Sequence, residues 1–223
     1  MHLATPTTNK VLLLDFDGVM LVNSRLKDYQ SKRSAKFVCN HTLLHPDHCK
    51  IINSTYYPKY GHSVIMVQKL FDQRATLQEY NDYVFSMKQL KRLQNVPDEE
   101  TKNHMQGFKK VYDYCESVGM PCYVFTNAHK NWVTYFTDVC GLDIDPDTII
   151  YPEHLDFLKP NANAYDRVEK QFGVGSEYLF IDDAEVNLNI PSQRTVWHPF
   201  HFLTGYNSNW VYNTIETHIN SPC

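Results

Sequence analysis

No stretch of this 223-residue chain reads as a membrane span. The apolar run VLLL at residues 11–14 is far too short to cross a bilayer, and Asp15 interrupts it. The opening residues, MHLATPTTNK, lack the apolar stretch of a secretory signal, so a cytoplasmic location is expected. An excess of positive charge is missing too: 21 Lys and Arg face 25 Asp and Glu, for a formal net charge of −4. That balance supplies no global field for nucleic-acid backbones or anionic lipid, and neither is expected as a partner. Repeats and low-complexity tracts are absent. The six cysteines (39, 49, 115, 122, 140 and 223) form no CxxC pair and read as reduced core residues in a reducing compartment. His41, His45, His48 and Cys49 cluster, but they have no second ligand pair at zinc spacing and read as a polar loop or helix face.

What is present is an ordinary globular composition, 43% hydrophobic and 21% charged. The length suits one good-sized core with a modest insertion. Short apolar runs without alternation predict buried strands at residues 11–15, 122–126, 178–182 and 195–198, with a weaker one at 148–151. Helical spacing separates the later strands: Met105, Phe108, Tyr112 and Cys115 before Gly119; Trp132, Phe136, Val139 and Cys140 before Gly141; Tyr165, Val168 and Phe172 before Gly173. Pro160 reads as an early residue of the last of these helices. This rhythm predicts an α/β fold with a Rossmann-like parallel sheet, whose ligands sit at the carboxyl ends of strands.

Residues 21–99 break the rhythm, with one glycine (Gly61) and no clear strand. Thr76 to Glu79 fits a capping box, and Leu77, Tyr80, Val84 and Met87 follow as an apolar stripe. Asn95 to Asp98 reads as the exit, with Asp98 capping the next helix. The expected organisation is an α/β core of residues 1–20 and 100–223, with an α-helical cap domain of residues 21–99 inserted after the first strand.

Four predicted strand or loop ends carry chemistry. Asp15 and Asp17 flank Phe16 before Gly18; residues two apart in an extended segment point the same way, and glycine permits a sharp bend. Two close carboxylates repel unless a cation joins them, and Mg2+ commonly takes one or two carboxylates together with waters and a substrate phosphate. Thr126-Asn127 ends the second strand before a helix, where a hydroxyl and free N–H groups suit a phosphate or a plain N-cap. Lys159-Pro160 offers one stiffly held positive charge. Asp182-Asp183 closes another apolar strand with paired acids. Each has an ordinary solvent-facing reading; it is their combination that points to a site.

DxDG, then threonine, then lysine, then DD, in that order, resembles the haloacid dehalogenase-like superfamily over residues 10–20 and 120–200. Phosphoacceptor receiver domains use similar residues in a different order. The resemblance implies roles. Asp15 is the nucleophile that forms an aspartyl-phosphate, and Asp17 is the general acid and base whose carbonyl also binds metal. Thr126 and Asn127 hold phosphate oxygens at the second motif, with Gly18 lining the first. Lys159 neutralises the transferring group, and Asp183 is the direct Mg2+ ligand with Asp182 behind it. Asp17 favours phosphate over halide chemistry, since dehalogenase relatives lack that acid. Val19 stands where many relatives have threonine.

The stretches Tyr56 to Ser63 and Phe125 to Lys130 resemble the pyrimidine 5′-nucleotidase group, making Tyr60 and His62 candidates for base or sugar contacts. In each case a packing or helix-capping role is the plainer alternative. A Mg2+-dependent phosphomonoesterase for a small phosphorylated metabolite, preferably a nucleoside 5′-monophosphate, is therefore expected. A sugar-phosphate phosphatase or a catalytically idle binding protein on the same fold stands as the alternative. Pro191 cuts short the helix after Asp183, and the bulky His198 to His201 either narrows the entrance or covers the sheet edge.

Overall fold

The apolar run at residues 11–14 becomes the middle strand of a five-stranded parallel sheet. The computed structural model describes residues 9–173 and 175–220. In chain order the elements are β1 (Lys10–Leu14), α1 (Ser24–Thr42), α2 (Pro46–Tyr60), α3 (Ser63–Phe71), α4 (Leu77–Val84), α5 (Met87–Leu90), α6 (Glu99–Gln106), α7 (Phe108–Ser117), β2 (Cys122–Phe125), α8 (Lys130–Cys140), β3 (Ile149–Ile150), α9 (Ala162–Phe172), β4 (Glu177–Asp182), α10 (Glu185–Leu188), β5 (Trp197–His201) and α11 (Ser208–Asn220).

The strand order is β3-β2-β1-β4-β5, and every pairing is parallel. The chain leaves β1 toward β2 on one side and returns to β4 on the other. That reversal opens a crevice at the carboxyl ends of β1 and β4, where open α/β sheets bind ligands. Alternate residues of β1 face opposite layers. Leu12 and Leu14 pack with Met105, Phe108, Val111, Val211 and Ile215, whereas Val11 and Leu13 pack with Tyr165, Val168 and Trp197. Burial on both faces explains why the strands read as continuous apolar runs.

The helical reading of the insertion holds over α1 to α5. Thr76 Oγ1 accepts from the Glu79 N–H at 3.1 Å, and Glu79 Oε2 accepts from the Thr76 N–H at 2.8 Å, closing the capping box. Asp98 caps α6 through the Thr101 N–H at 2.9 Å. Leu77, Tyr80 and Val84 are buried, but Met87 is 44% exposed. The chain turns at Phe85 and Ser86, so Met87 begins the next helix and leaves the stripe.

Three further expectations are corrected. The last strand starts two residues later than expected, ends three later and contains Pro199; as an edge strand, β5 tolerates a residue with no N–H. The helix predicted through Met105 and Cys115 is two, joined at Gly107, where a Cβ would collide with Ser208 Oγ. Asn161, not Pro160, opens α9: Asn161 is its N-cap, accepting from the Asn163 N–H at 3.0 Å, and the Lys159–Pro160 peptide just before it is cis.

Cys39 and Cys49 are joined as a disulfide, contrary to the reading of all six cysteines as reduced. The left-handed turn at Leu43 folds α2 back on α1 and brings the two Cα atoms to 5.5 Å. Cys115, Cys122 and Cys140 are free, and Cys223 lies outside the described residues. The argument from reduced cysteines to a reducing compartment loses this pair. His41 bonds the Phe37 carbonyl and His45 caps α2, in keeping with the polar reading of that cluster. Among the described residues no helix is long and apolar enough to cross a membrane.

Candidate active site

Lys159 is 1% exposed and Asp182 is fully buried, so each costs several kcal/mol to desolvate without a partner. They satisfy each other. Lys159 Nζ lies 2.6 Å from Asp182 Oδ2, 3.0 Å from Asp15 Oδ1 and 2.7 Å from the Phe125 carbonyl oxygen. The rings of Phe125 and Phe180 flank the ammonium at 5.0 and 5.2 Å. Asn127 fixes the lysine backbone from both sides: its Nδ2 donates to the Lys159 carbonyl and its Oδ1 accepts from the Lys159 N–H, each at 2.8 Å. The Asn127 side chain thus positions Lys159 instead of projecting toward a ligand.

Each acid is set by its strand. Asp15 follows β1, and its N–H donates to the Ile181 carbonyl at 2.9 Å, which pins it between β1 and β4. Asp182 ends β4, where Oδ1 accepts from the Ala184 N–H at 2.8 Å and Asn187 Nδ2 reaches both oxygens at 3.1 Å. Asp183 is only partly buried, with its carboxylate against Gly18. A Cβ at Gly18 would overlap that carboxylate, and φ there is +90°. Gly18 therefore makes room for Asp183 as well as turning the chain. Thr126 is buried, and its Oγ1 accepts from the Ala128 N–H at 3.0 Å.

Asp15, Asp182 and Asp183 each offer an oxygen within 4.8 Å of the others. Burial pushes Asp15 well above the usual carboxylate range against the pull of Lys159, and Asp182, Asp183 and Asp17 add to the push. Burial, then Asp182, raises Asp183 to about 6. Lys159 stays above its ordinary value: burial opposes its charge, but Asp15 and Asp182 outweigh that. One ammonium does not neutralise this many carboxylates. An all-oxygen donor set with surplus negative charge fits a hard divalent cation.

The Asp17 side chain turns elsewhere. Trp132 Nε1 donates to its Oδ1 at 2.9 Å and Gln30 Nε2 to its Oδ2 at 3.0 Å. Burial raises its pKa, and these two donors oppose the rise. Burial of this kind favours the protonated carboxyl, the form a general acid needs. Tyr57, on α2, keeps 42% of its surface exposed, while burial of its hydroxyl, then Tyr80, Asp17, Asp15 and Asp183, pushes its phenol up.

The two residues expected to contact a base or sugar are otherwise engaged. His62 is 3% exposed, spends Nδ1 on the Val64 N–H at 3.2 Å as cap of α3, and meets Tyr80 edge-on at 4.4 Å. Burial lowers it to about 3, so it is neutral. Tyr60 is partly buried beside Tyr56, with Lys59 over its ring at 5.4 Å. The glycine between them matters more: a Cβ on Gly61 would strike Pro160 and lie 2.7 Å from the Lys159 carbonyl oxygen. Gln30 and Trp132 were missed by sequence reasoning, because no local pattern marks a side chain that completes a distant carboxylate; Asn187, five positions from Asp182, was missed because nothing in the short apolar-to-acid run marks it as that carboxylate's donor.

No family model matches the chain. Two solved structures resemble it across most of its length. A phosphoserine phosphohydrolase-like protein from Francisella tularensis subsp. tularensis SCHU S4 is 12% identical, with 92% of each chain covered and a TM-score of 0.48. A HAD hydrolase, family IA, variant 3, from Entamoeba histolytica HM-1:IMSS is 15% identical, with 93% of this chain and 99% of that one covered and a TM-score of 0.45. At those values neither likeness carries weight for activity.

Proposed function

We propose that this chain is a Mg2+-dependent phosphomonoesterase of the haloacid dehalogenase-like type, acting on a small phosphorylated metabolite and preferring a nucleoside 5′-monophosphate. The observation that carries the reading is the buried Lys159 ammonium, held between Asp15 and Asp182 with Asp183 in reach of both acids. That is a preorganised cationic point beside a nucleophilic carboxylate, as phosphoryl transfer requires.

In this reading the Asp15 carboxylate attacks phosphorus, and the bond to the leaving oxygen breaks as Asp17 donates it a proton. The same Asp17 then takes a proton from water, whose oxygen displaces phosphate from Asp15 and restores the free carboxylate. Asp15, Asp183 and the Asp17 carbonyl hold Mg2+, with Asp182 behind them. When bound, the ion supplies charge neutralisation at the phosphoryl oxygens. Asp182 is saturated by Lys159, Ala184 and Asn187, which supports Asp183 as the direct ligand. Thr126 and the N–H groups after it receive phosphate oxygens.

The insertion acts as a cap over this site. Support comes from Gln30 on Asp17 and Gly61 on the Lys159–Pro160 segment. The exposed Tyr57 ring, on the α2 helix of this insertion, offers an aromatic surface of the kind a planar leaving group needs, which favours a nucleotide.

Release of para-nitrophenol from para-nitrophenyl phosphate tests the chemistry, with and without Mg2+, in wild type and Asp15→Asn. Metal-dependent turnover that disappears in the variant is expected. An active Asp15→Asn protein, or turnover indifferent to Mg2+, overturns the mechanism. Comparing kcat/KM across nucleotides and sugar phosphates tests the substrate preference separately.

A further inference from the structure

A second group of metal-ligating side chains lies outside the proposed active site. Glu177 opens β4, His198 is the second residue of β5, and His218 lies in the last turn of α11. The β4–β5 register sets Leu179 beside His198, so Glu177 and His198 share one sheet face, diagonally adjacent. Val211, Ile215 and His218 fall at helical spacing on the face of α11 that packs there. The three side chains each present a ligand atom within 4.8 Å of the others. His198 Nε2 is 3.8 Å from Glu177 Oε2, and the two imidazole rings have centroids 4.5 Å apart. Two ligands at about 2.0–2.1 Å from a tetrahedral ion stand about 3.3 Å apart, so small side-chain rotations close the set.

We propose that Glu177, His198 and His218 form a metal site for a borderline divalent ion such as Zn2+, which ties the C-terminal helix to the edge strand. Two imidazoles with one carboxylate suit Zn2+, Ni2+ or Cu2+ and not Mg2+, which takes oxygen ligands. All three residues are partly exposed, so an ion and a completing water have access. Lys10 pairs in register with Glu177, and its Nζ is 3.4 Å from the His218 carbonyl. That fixed positive charge opposes a dication, and the carboxylate of Glu177 offsets it. The site sits at the amino end of the strands. Five residue steps along β4, about 16 Å, separate Glu177 from Asp182, so the two centres are independent.

The test is a calorimetric titration of Zn2+ into the full-length protein in excess Mg2+, which occupies the oxygen site. Wild type, His198→Gln, His218→Gln, Glu177→Gln and His45→Gln are compared, with circular dichroism to confirm folding. One Zn2+ per chain is expected in wild type and His45→Gln. Binding is expected to weaken at least 100-fold in either of the other histidine variants and about 10-fold in Glu177→Gln. Zn2+ is also expected to raise the Tm of wild type and not that of His218→Gln. No Zn2+ binding by wild type, or unchanged affinity in the three site variants, overturns the proposal. If a histidine variant fails to fold, Glu177→Gln decides by itself. Because the readout is binding, the result stands apart from whether the chain hydrolyses phosphate.

Discussion

Asn127 and Lys159 are joined by a closed pair of hydrogen bonds, donor to carbonyl and acceptor to N–H, each 2.8 Å long. The amide fits because it presents one donor and one acceptor side by side. Asn127→Asp keeps the shape but removes the donor and adds another negative charge to the site. The expected cost is about 2 kcal/mol of stability, read by urea unfolding, together with a fall in kcat of at least tenfold. Asn127→Ala should lose a similar amount of stability. Full activity in both variants would mean that Lys159 is positioned without this clamp.

That clamp also marks the boundary of what the residues themselves reveal. The runs at 11–14 and 178–181 were legible as strands because burial on both faces leaves only apolar residues. The acids and the threonine were legible because each follows or ends such a strand, and the lysine because a proline stiffens the loop that carries it. Asn127 read as a phosphate contact or a cap; its actual partner is 32 positions away. Gln30 and Trp132 are 13 and 115 positions from Asp17 and carry no local signal of that pairing. The Cys39–Cys49 bond depends on the angle of the α1–α2 hairpin, and the shift of β5 depends on its being an edge. Local patterns specify elements; tertiary packing chooses partners.

The two donors on Asp17 set the proton affinity of the proposed acid and base. Trp132→Phe removes one and retains the ring that packs on Phe136 at 4.5 Å and on Phe85 at 5.3 Å. The Asp17 pKa, already raised by burial, then rises further. The step that needs ionised Asp17 should show its acid limb displaced upward by about one pH unit. The pH dependence of kcat checks this, and Gln30→Leu should move the limb in the same direction. A limb that stays in place assigns the ionisation to another group.

Asp183 supplies a metal-linked stability test. Its folded pKa, about 6, exceeds the ordinary 3.8, so the native state without metal holds its proton more tightly than the unfolded chain does. The associated stabilisation is complete below 3.8 and is lost as pH rises through about 6. In EDTA, Asp183→Asn should therefore be more stable than wild type by roughly 3 kcal/mol at neutral pH. The advantage should shrink toward zero as the pH falls to 3.8. Mg2+ should stabilise wild type and not the variant. Thermal unfolding across pH, with and without Mg2+, measures both effects.

His62 acts with the opposite sign. Burial lowers its pKa to about 3, so the unfolded chain takes up a proton near 6.5 that the native state refuses. Stability is then lost as pH falls below 6.5, by about 2 kcal/mol at pH 5. His62→Asn keeps a side chain able to cap α3 but removes the titration. Its unfolding free energy should be flatter than that of wild type between pH 7 and pH 5. Parallel curves would place the acid sensitivity in other groups.

Gly61 couples the insertion to the proposed phosphate-neutralising lysine. Its φ of +70° is left-handed, and a Cβ would collide with Pro160 and crowd the Lys159 carbonyl at 2.7 Å, the same oxygen that Asn127 Nδ2 holds. Gly61→Ala therefore adds overpacking to backbone strain, at an expected cost of about 3 kcal/mol. Gly205 separates the two effects. Its φ is +94° and nothing lies within 4 Å of an added Cβ, so Gly205→Ala carries the strain alone, about 1 kcal/mol. Steady-state kinetics should show kcat reduced in Gly61→Ala and unchanged in Gly205→Ala. If Gly61→Ala loses stability but keeps its kcat, the contact between insertion and core is structural, and Lys159 is held in place by Asn127 and the two carboxylates without help from the insertion.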